Sequence, residues 1–239
     1  MDEKKIVYKR VLLKLSGEAL SGDAGTGLDF KVMAGVCGAV AQCAKQGVEV
    51  GIVVGGGNFW RGVKNGEGRM DRRRADYMGM LATVMNCLAL QDVLQQQGVE
   101  AKVLTAMEIQ LIGEPFSVEK ADEYLRSGKV VVFGGGVGSP FFTTDTGAVL
   151  RAALIGADAV LLAKNVDGVY SADPKKDPGA VRFDSLTYEE VLEKRLAVMD
   201  STATCLAMDN RIPIRVFALC QPENILRAAR GEAVGTLVH

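Results

Sequence analysis

Hydrophobic and polar positions alternate along the chain in two distinct rhythms. Short, nearly continuous apolar runs have the length and β-branched content of strands buried on both faces: RVLLKL at 10–15, VEVGIVV at 48–54, AKVL at 101–104, KVVVF at 129–133, DAVLLA at 158–163, PIRVFA at 213–218 and GTLV at 235–238. Between them apolar residues recur every three or four positions. Val32, Met33, Val36, Val40 and Cys43, for example, share one face of a helix expected over about 30–46. Asp29 and Ser117 stand where helix N-caps belong, and Gly47, Gly98, Gly128 and Gly156 where helices stop. Further helices are expected over about 74–97, 117–126, 144–155, 187–196 and 201–209, with another opened by Pro222, while KNVDGVYSADPKKDPGA at 164–180 reads as irregular and turn-rich. Strand alternating with helix from end to end predicts one α/β domain, residues 1–239, built on a mostly parallel sheet covered on both faces.

Composition narrows the function. With 48% hydrophobic and 24% charged residues the 239-residue chain falls in the globular range. A net charge of -1 provides no broad basic footprint for nucleic acid, so any anion it binds must be met locally. Neither a signal peptide nor an apolar run approaching the ~20 residues of a membrane span is legible, and the cytoplasm is the expected compartment. The five cysteines form no C-x-x-C pair and read as small buried hydrophobes. The one histidine is His239, which excludes a histidine-centred triad and any multi-histidine metal site within this chain.

Candidate chemistry gathers around two glycine triplets, Gly55–Gly57 and Gly134–Gly136, each placed directly after a strand. Ligands of open α/β sheets bind beyond the carboxyl ends of the strands. Glycine there lets backbone N–H groups approach an anion, or simply makes a tight turn. The Walker A pattern is absent, Trp60 and Ser139 stand where G-x-G-x-x-G needs its last glycine, and no H-R-D or D-F-G set occurs. A phosphate site of another kind needs cations, for which Lys14 and Arg61 lie next to suitable strand ends. Asp145 closes the second glycine loop, as a plain first-turn acid, as an orienter of Lys14 or as a magnesium ligand. Arg72 to Arg74 read as a solvated face, Asp76 as a first-turn acid, and Trp60 as a lid or an interface residue. Tyr170 and Asp173 would suit a purine and its ribose, or only a turn.

Read together, YKRVLLKLSGEAL, GGGNFWRG, DYMGMLATVMN, GSPFFTTD, NVDGVYSADP, LTYEEVLEKRLAVMD and IPIRVF resemble the bacterial-type UMP kinases of the amino-acid-kinase superfamily, from about Tyr8 to the carboxyl end. The resemblance implies transfer of the ATP γ-phosphoryl group to UMP, with magnesium, giving UDP and ADP in pyrimidine nucleotide synthesis. It implies a three-layer α/β/α sandwich around a mostly parallel, about eight-stranded sheet, assembled as a homohexamer, with UMP bound mainly by the N-terminal part and ATP by the C-terminal part. Carried over by position, Lys14, Leu15, Ser16, Gly17, Gly57 and Arg61 fall to the ATP phosphates, and Asn165, Tyr170 and Asp173 to adenosine. Gly56 falls to the UMP phosphate and Asp76 to the UMP ribose; Val137, Gly138, Ser139, Pro140, Phe141, Phe142, Thr143 and Thr144 close over uracil and the acceptor phosphate. Asp145 matches a carboxylate near the transferring group, and Asp200 a further acid.

The loop Gly22, Asp23, Ala24, Gly25, Thr26 and Gly27 resembles the one linked to GTP activation, although LQDVLQQQGVEAK at 90–102 has glutamines where family members carry effector-binding charges. UTP is expected as an inhibitor. A superfamily kinase for a carboxylate or carbamate would need neither PFFTTD nor Asp76. A nucleotide sensor that had lost turnover would not need Lys14, Arg61 and Asp145 intact, and an oxidoreductase would need the dinucleotide fingerprint that is missing.

Overall fold

The computed structural model describes residues 6–61 and 70–239. Its elements run β1 (Arg10–Leu15), a 3-10 segment (Gly17–Ala24), α1 (Phe30–Lys45), β2 (Glu49–Val54), α2 (Arg72–Gln96), β3 (Ala101–Thr105), β4 (Glu114–Pro115), α3 (Val118–Arg126), β5 (Val130–Gly134), α4 (Thr144–Leu154) and β6 (Ala159–Lys164). There follow β7 (Val169–Tyr170), β8 (Arg182–Phe183), β9 (Ser185–Leu186), α5 (Tyr188–Glu193), α6 (Ser201–Asp209), β10 (Ile214–Ala218), α7 (Asn224–Ala229) and β11 (Thr236–Val238). One nine-stranded sheet has the order β4-β3-β5-β2-β1-β6-β10-β11-β9, parallel throughout except where β11 returns antiparallel to β10; β7 and β8 form a separate antiparallel ribbon.

Period-two alternation divides the core in two. Val11, Leu13 and Leu15 of β1, with Val50, Ile52 and Val54 of β2, face α1, α2 and α7 on one side. Leu12, Val53, Val131, Val160 and Leu162 face α3, α4, α5 and α6 on the other. This is the α/β/α sandwich the sequence led us to expect. The caps also fall as expected: Asp29 accepts from the N–H groups of Lys31 and Val32, and Ser117 from that of Lys120.

Departures have local causes. The sheet has nine strands rather than about eight because β4 and β9 are each two residues long, too short to show a period. The same brevity hid β7 and β8 within the turn-rich segment. The helix expected to reach 196 stops at Glu193, with Arg195 in the left-handed region at φ 50°. The helix α2 starts two residues earlier than expected because the Asp71 carboxylate caps it through the N–H groups of Arg73 and Arg74, and the Pro222 helix proper begins at Asn224. By length and composition alone α2 could cross a bilayer, a test that a buried core helix also passes. Half of its apolar 18-residue window is buried, and the helix packs on β3 and β5 as a core element.

At the amino ends of the strands, Arg10 gathers three elements. Its Nε lies 2.5 Å from Glu49, its Nη2 2.8 Å from Asp122, and its Nη1 donates to the carbonyl of Ile155 at 2.5 Å. The carboxyl ends carry the glycine loops.

Candidate active site

The same alternation places the first candidate cation. Lys14 follows Leu12 onto the face covered by α4, and Lys164 follows Val160 and Leu162 onto that face at the end of the neighbouring strand. The helix α4 packs there through Ala148, Val149 and Ala152 and carries Asp145 in its first turn. Lys14 Nζ therefore meets Asp145 Oδ1 at 2.7 Å, the two side chains being 12% and 19% exposed. This is a charge contact rather than a directed hydrogen bond, for the buried Oδ1 accepts none. A hard carboxylate oxygen is the ligand type magnesium takes. No cluster of three or more metal-ligating side chains exists among the described residues.

Asp145 is fixed from behind. Thr143 Oγ1 caps α4 by accepting from the N–H groups of Asp145 and Thr146. The Asp200 carboxylate, itself the N-cap of α6, accepts from the hydroxyls of Thr143 and Thr146. Lys164 donates to the carbonyls of Ala197 and Val198, just ahead of Asp200. Burial holds the Lys164 ammonium below the ordinary lysine value, Asp145 opposing the shift and Lys14 adding to it. Sequence reasoning passed over Lys164, although it ends an apolar strand as Lys14 does.

The glycine triplets are stitched together by α2. A Cβ on Gly56 would lie 2.7 Å from the Gly79 carbonyl oxygen and 2.8 Å from Ala82 Cβ, so only glycine permits this approach. Gly17 is likewise pressed against the Gly55 carbonyl. Asn86 Nδ2 donates to the Gly55 carbonyl at 2.7 Å, and Thr83 Oγ1 accepts from the Gly135 N–H at 2.8 Å. Asn86 and Asn58 exchange amide hydrogen bonds, and Asn58 Nδ2 also donates to the Gly27 carbonyl, tying the Gly22–Gly27 loop to the first triplet. Thr83, Asn86 and Asn58 were not singled out from the sequence. The available signal was Gly79, Ala82, Thr83 and Asn86 at helical spacing: small and polar residues along one stripe of an otherwise apolar helix.

Two of the clefts lined by described residues open at this end of the sheet. One, of about 280 Å³, brings together Gly56, Gly57, Asp76, Val137, Ser139 and Thr144 of the expected site, with Trp60 and Arg72 beside them. Asp76 Oδ2 accepts from the Phe141 N–H at 2.9 Å, and Arg72 Nε lies 2.9 Å from both Asp76 oxygens. Arg72 thus belongs to this cleft, whereas Arg73 and Arg74 are exposed as expected of a solvated face. Trp60 is anchored by its Nε1–H on the Ala75 carbonyl. Arg61 pairs with Glu18 beside Gly57. The second cleft, of about 400 Å³, is lined by Gly168, Tyr170, Asp173 and Leu196 but not by Asn165. Strand order sets Lys14 and β1 between the loops after β2 and β5, which build the first cleft, and the loop after β6, which builds the second.

A central parallel sheet with two anion-ready glycine loops and a lysine–aspartate pair at their junction is the architecture of a phosphotransferase. The amino acid kinase family profile matches residues 9–218, and the chain belongs to that family. UMP kinase from Bacillus anthracis is 40% identical over 97% of this chain and 96% of its own, with a TM-score of 0.93. UMP kinase from Ureaplasma parvum is 35% identical over 96% and 98%, with a TM-score of 0.90. Uridylate kinase from Archaeoglobus fulgidus is 33% identical over 96% and 99%, with a TM-score of 0.75.

Proposed function

We propose that this chain is a UMP kinase, transferring the γ-phosphoryl group of ATP to UMP to give UDP and ADP. The observation that carries the reading is the Lys14–Asp145 pair lying between a cleft with Asp76 and the PFFTTD loop on one side and a cleft with Tyr170 and Asp173 on the other. Identity of 33–40% to UMP and uridylate kinases over nearly the whole chain supports the same substrate.

In this reading Gly56 and the 137–144 segment receive UMP, Asp76 its ribose. Leu15, Ser16, Gly17, Gly57 and Arg61 hold the ATP phosphates, with Asn165, Tyr170 and Asp173 toward adenosine. The acceptor is already an ionised phosphate, so no side chain need abstract a proton, and no covalent intermediate is required. What the protein must do is bring two polyanions into line and offset the charge on the transferring group. Lys14 does so at the strand end. Asp145 orients Lys14 and would hold magnesium, which would supply further charge compensation for the phosphates. The Thr143–Thr146–Asp200 network keeps Asp145 in place.

Regulation and assembly belong to the same proposal: GTP as activator acting through Gly22–Gly27, UTP as inhibitor in the acceptor cleft, a homohexamer, and a cytoplasmic setting. The Asn58 link from Gly27 to the first triplet supports the GTP reading, and the exposed stripe Tyr77, Leu81, Met85 and Leu88 on α2 supports assembly through that face. A coupled ADP-release assay with ATP, magnesium and UMP, CMP, dUMP, AMP, glutamate, aspartate or carbamate, with and without GTP, tests it. Turnover confined to UMP is expected; turnover with a carboxylate or carbamate instead, or UMP binding without turnover, overturns it.

A further inference from the structure

Arg151, in the third turn of α4, is 6% exposed and has no carboxylate partner among the described residues. Its guanidinium carbon lies 3.8 Å from the centroid of Phe116 and 6.0 Å from that of Phe133, two rings that meet edge-on. Its one hydrogen bond there is a long one, Nη2 to the Gly136 carbonyl at 3.4 Å, and its buried Nε has no partner. Burial lowers its pKa to about 10, which still leaves a cation at neutral pH. Aromatic faces stabilise a guanidinium but do not neutralise it, and a buried charge without its opposite is costly.

The guanidinium borders a third cleft, of about 350 Å³, that adjoins the first at Val137 and is otherwise walled by Thr105, Met107 and Phe116. Glu108 stands on the rim, exposed and unpaired with Arg151. We infer that this third cleft is an anion site, taking a small oxyanion or the phosphate or carboxylate group of a larger molecule, with Arg151 as its fixed charge. The covered, partnerless Nε and the weakly used Nη2 form one edge of the planar fork, and a small turn of the guanidinium off the Gly136 carbonyl presents that edge to an oxyanion in two-point contact. The site touches the first cleft through shared backbone: Arg151 holds the Gly136 carbonyl, and Gly136 and Val137 line the first cleft as well. An anion that draws the guanidinium toward itself releases that carbonyl and so acts on the second glycine loop.

The test uses the full chain with tungstate in crystals and inorganic phosphate in solution. An anomalous tungsten peak within hydrogen-bonding reach of Arg151 is expected in the wild type and is expected to vanish in Arg151→Met, while any peaks at the glycine loops persist. In solution, phosphate titration by calorimetry should lose an Arg151-dependent class of sites, its affinity falling at least about tenfold in Arg151→Met. If that variant fails to fold by circular dichroism, Arg151→Lys, which keeps the charge but not the fork, should bind phosphate more weakly than wild type. An empty cleft in wild-type crystals, an unchanged phosphate response in the folded variant, or a carboxylate of a second copy seated on the guanidinium would each overturn the inference.

Discussion

Replacing Lys14 by methionine removes the charge while keeping most of the side-chain volume. The lost contact is the 2.7 Å approach to Asp145, both partners being mostly buried. Coulomb's law at an effective dielectric of about 20 gives that contact a gross attraction of about 6 kcal/mol, much of it offset by the desolvation of both groups. Stability should therefore fall by only about 1–3 kcal/mol, the cost of an imperfectly paired polar group, and the variant should keep its native circular dichroism. Turnover is a different matter, because in the proposed mechanism charge on the transferring phosphoryl group grows where the ammonium stood. Cations in that role accelerate phosphoryl transfer by about 10³–10⁵, or about 4–7 kcal/mol of barrier. The assay is coupled ADP release at saturating UMP and ATP, run on Lys14→Met, Asp145→Asn and the double variant. Residues acting as a unit should lose less in the double variant than the sum of the single losses. Turnover of Lys14→Met within about tenfold of wild type, or strictly additive losses, would remove the pair from the mechanism.

Asp76→Asn loses the charge on a group bonded to the Phe141 N–H and Arg72, and a charge-assisted bond of about 1.5–3 kcal/mol predicts a rise of about 10–100-fold in KM for UMP with that for ATP little changed; equal effects on both would contradict the ribose role. A thiol reagent should modify exposed Cys205 and Cys220 quickly in the native protein, while Cys37 and Cys43, whose pKa values burial raises to about 12, and buried Cys87 react only on unfolding. Burial likewise raises the Tyr188 phenol to about 12, its hydroxyl donating to the Ile212 carbonyl. Its neutral form is favoured in the fold, so this stabilisation is present below the unfolded value of about 10 and is lost as pH rises toward and through 12. Alkaline denaturation of Tyr188→Phe should lack that component.

The strands and long helices were legible because each carries a clean apolar period bounded by a cap or a glycine. Two-residue β4, β7, β8 and β9 carry none, and their pairing is fixed by neighbours distant in sequence. At the site, strand-end charges such as Lys14 and loop-end acids such as Asp145 could be picked out because a charge beside an apolar run is conspicuous. Asn58, Thr83 and Asn86 were harder to read as site residues because their partners include backbone groups of other elements: the helical spacing of Thr83 and Asn86 with Gly79 marks a stripe but not what that stripe meets. Lys164 carried the same signal as Lys14 and was simply outweighed by the irregular segment that follows it.

The three-way grip of Arg10 sits at the opposite end of β1 from Lys14, so a single six-residue strand carries a mechanical anchor at one end and the charge proposed to act on phosphate at the other. Position along the strand axis therefore tells an experimenter which instrument to reach for. A substitution near Arg10, Glu49 or Asp122 calls for a calorimeter, and one near Gly17, Gly56 or Thr143 for a rate assay. The same geometry gives anyone wishing to harden this fold a place to work at the end of the sheet opposite the proposed site.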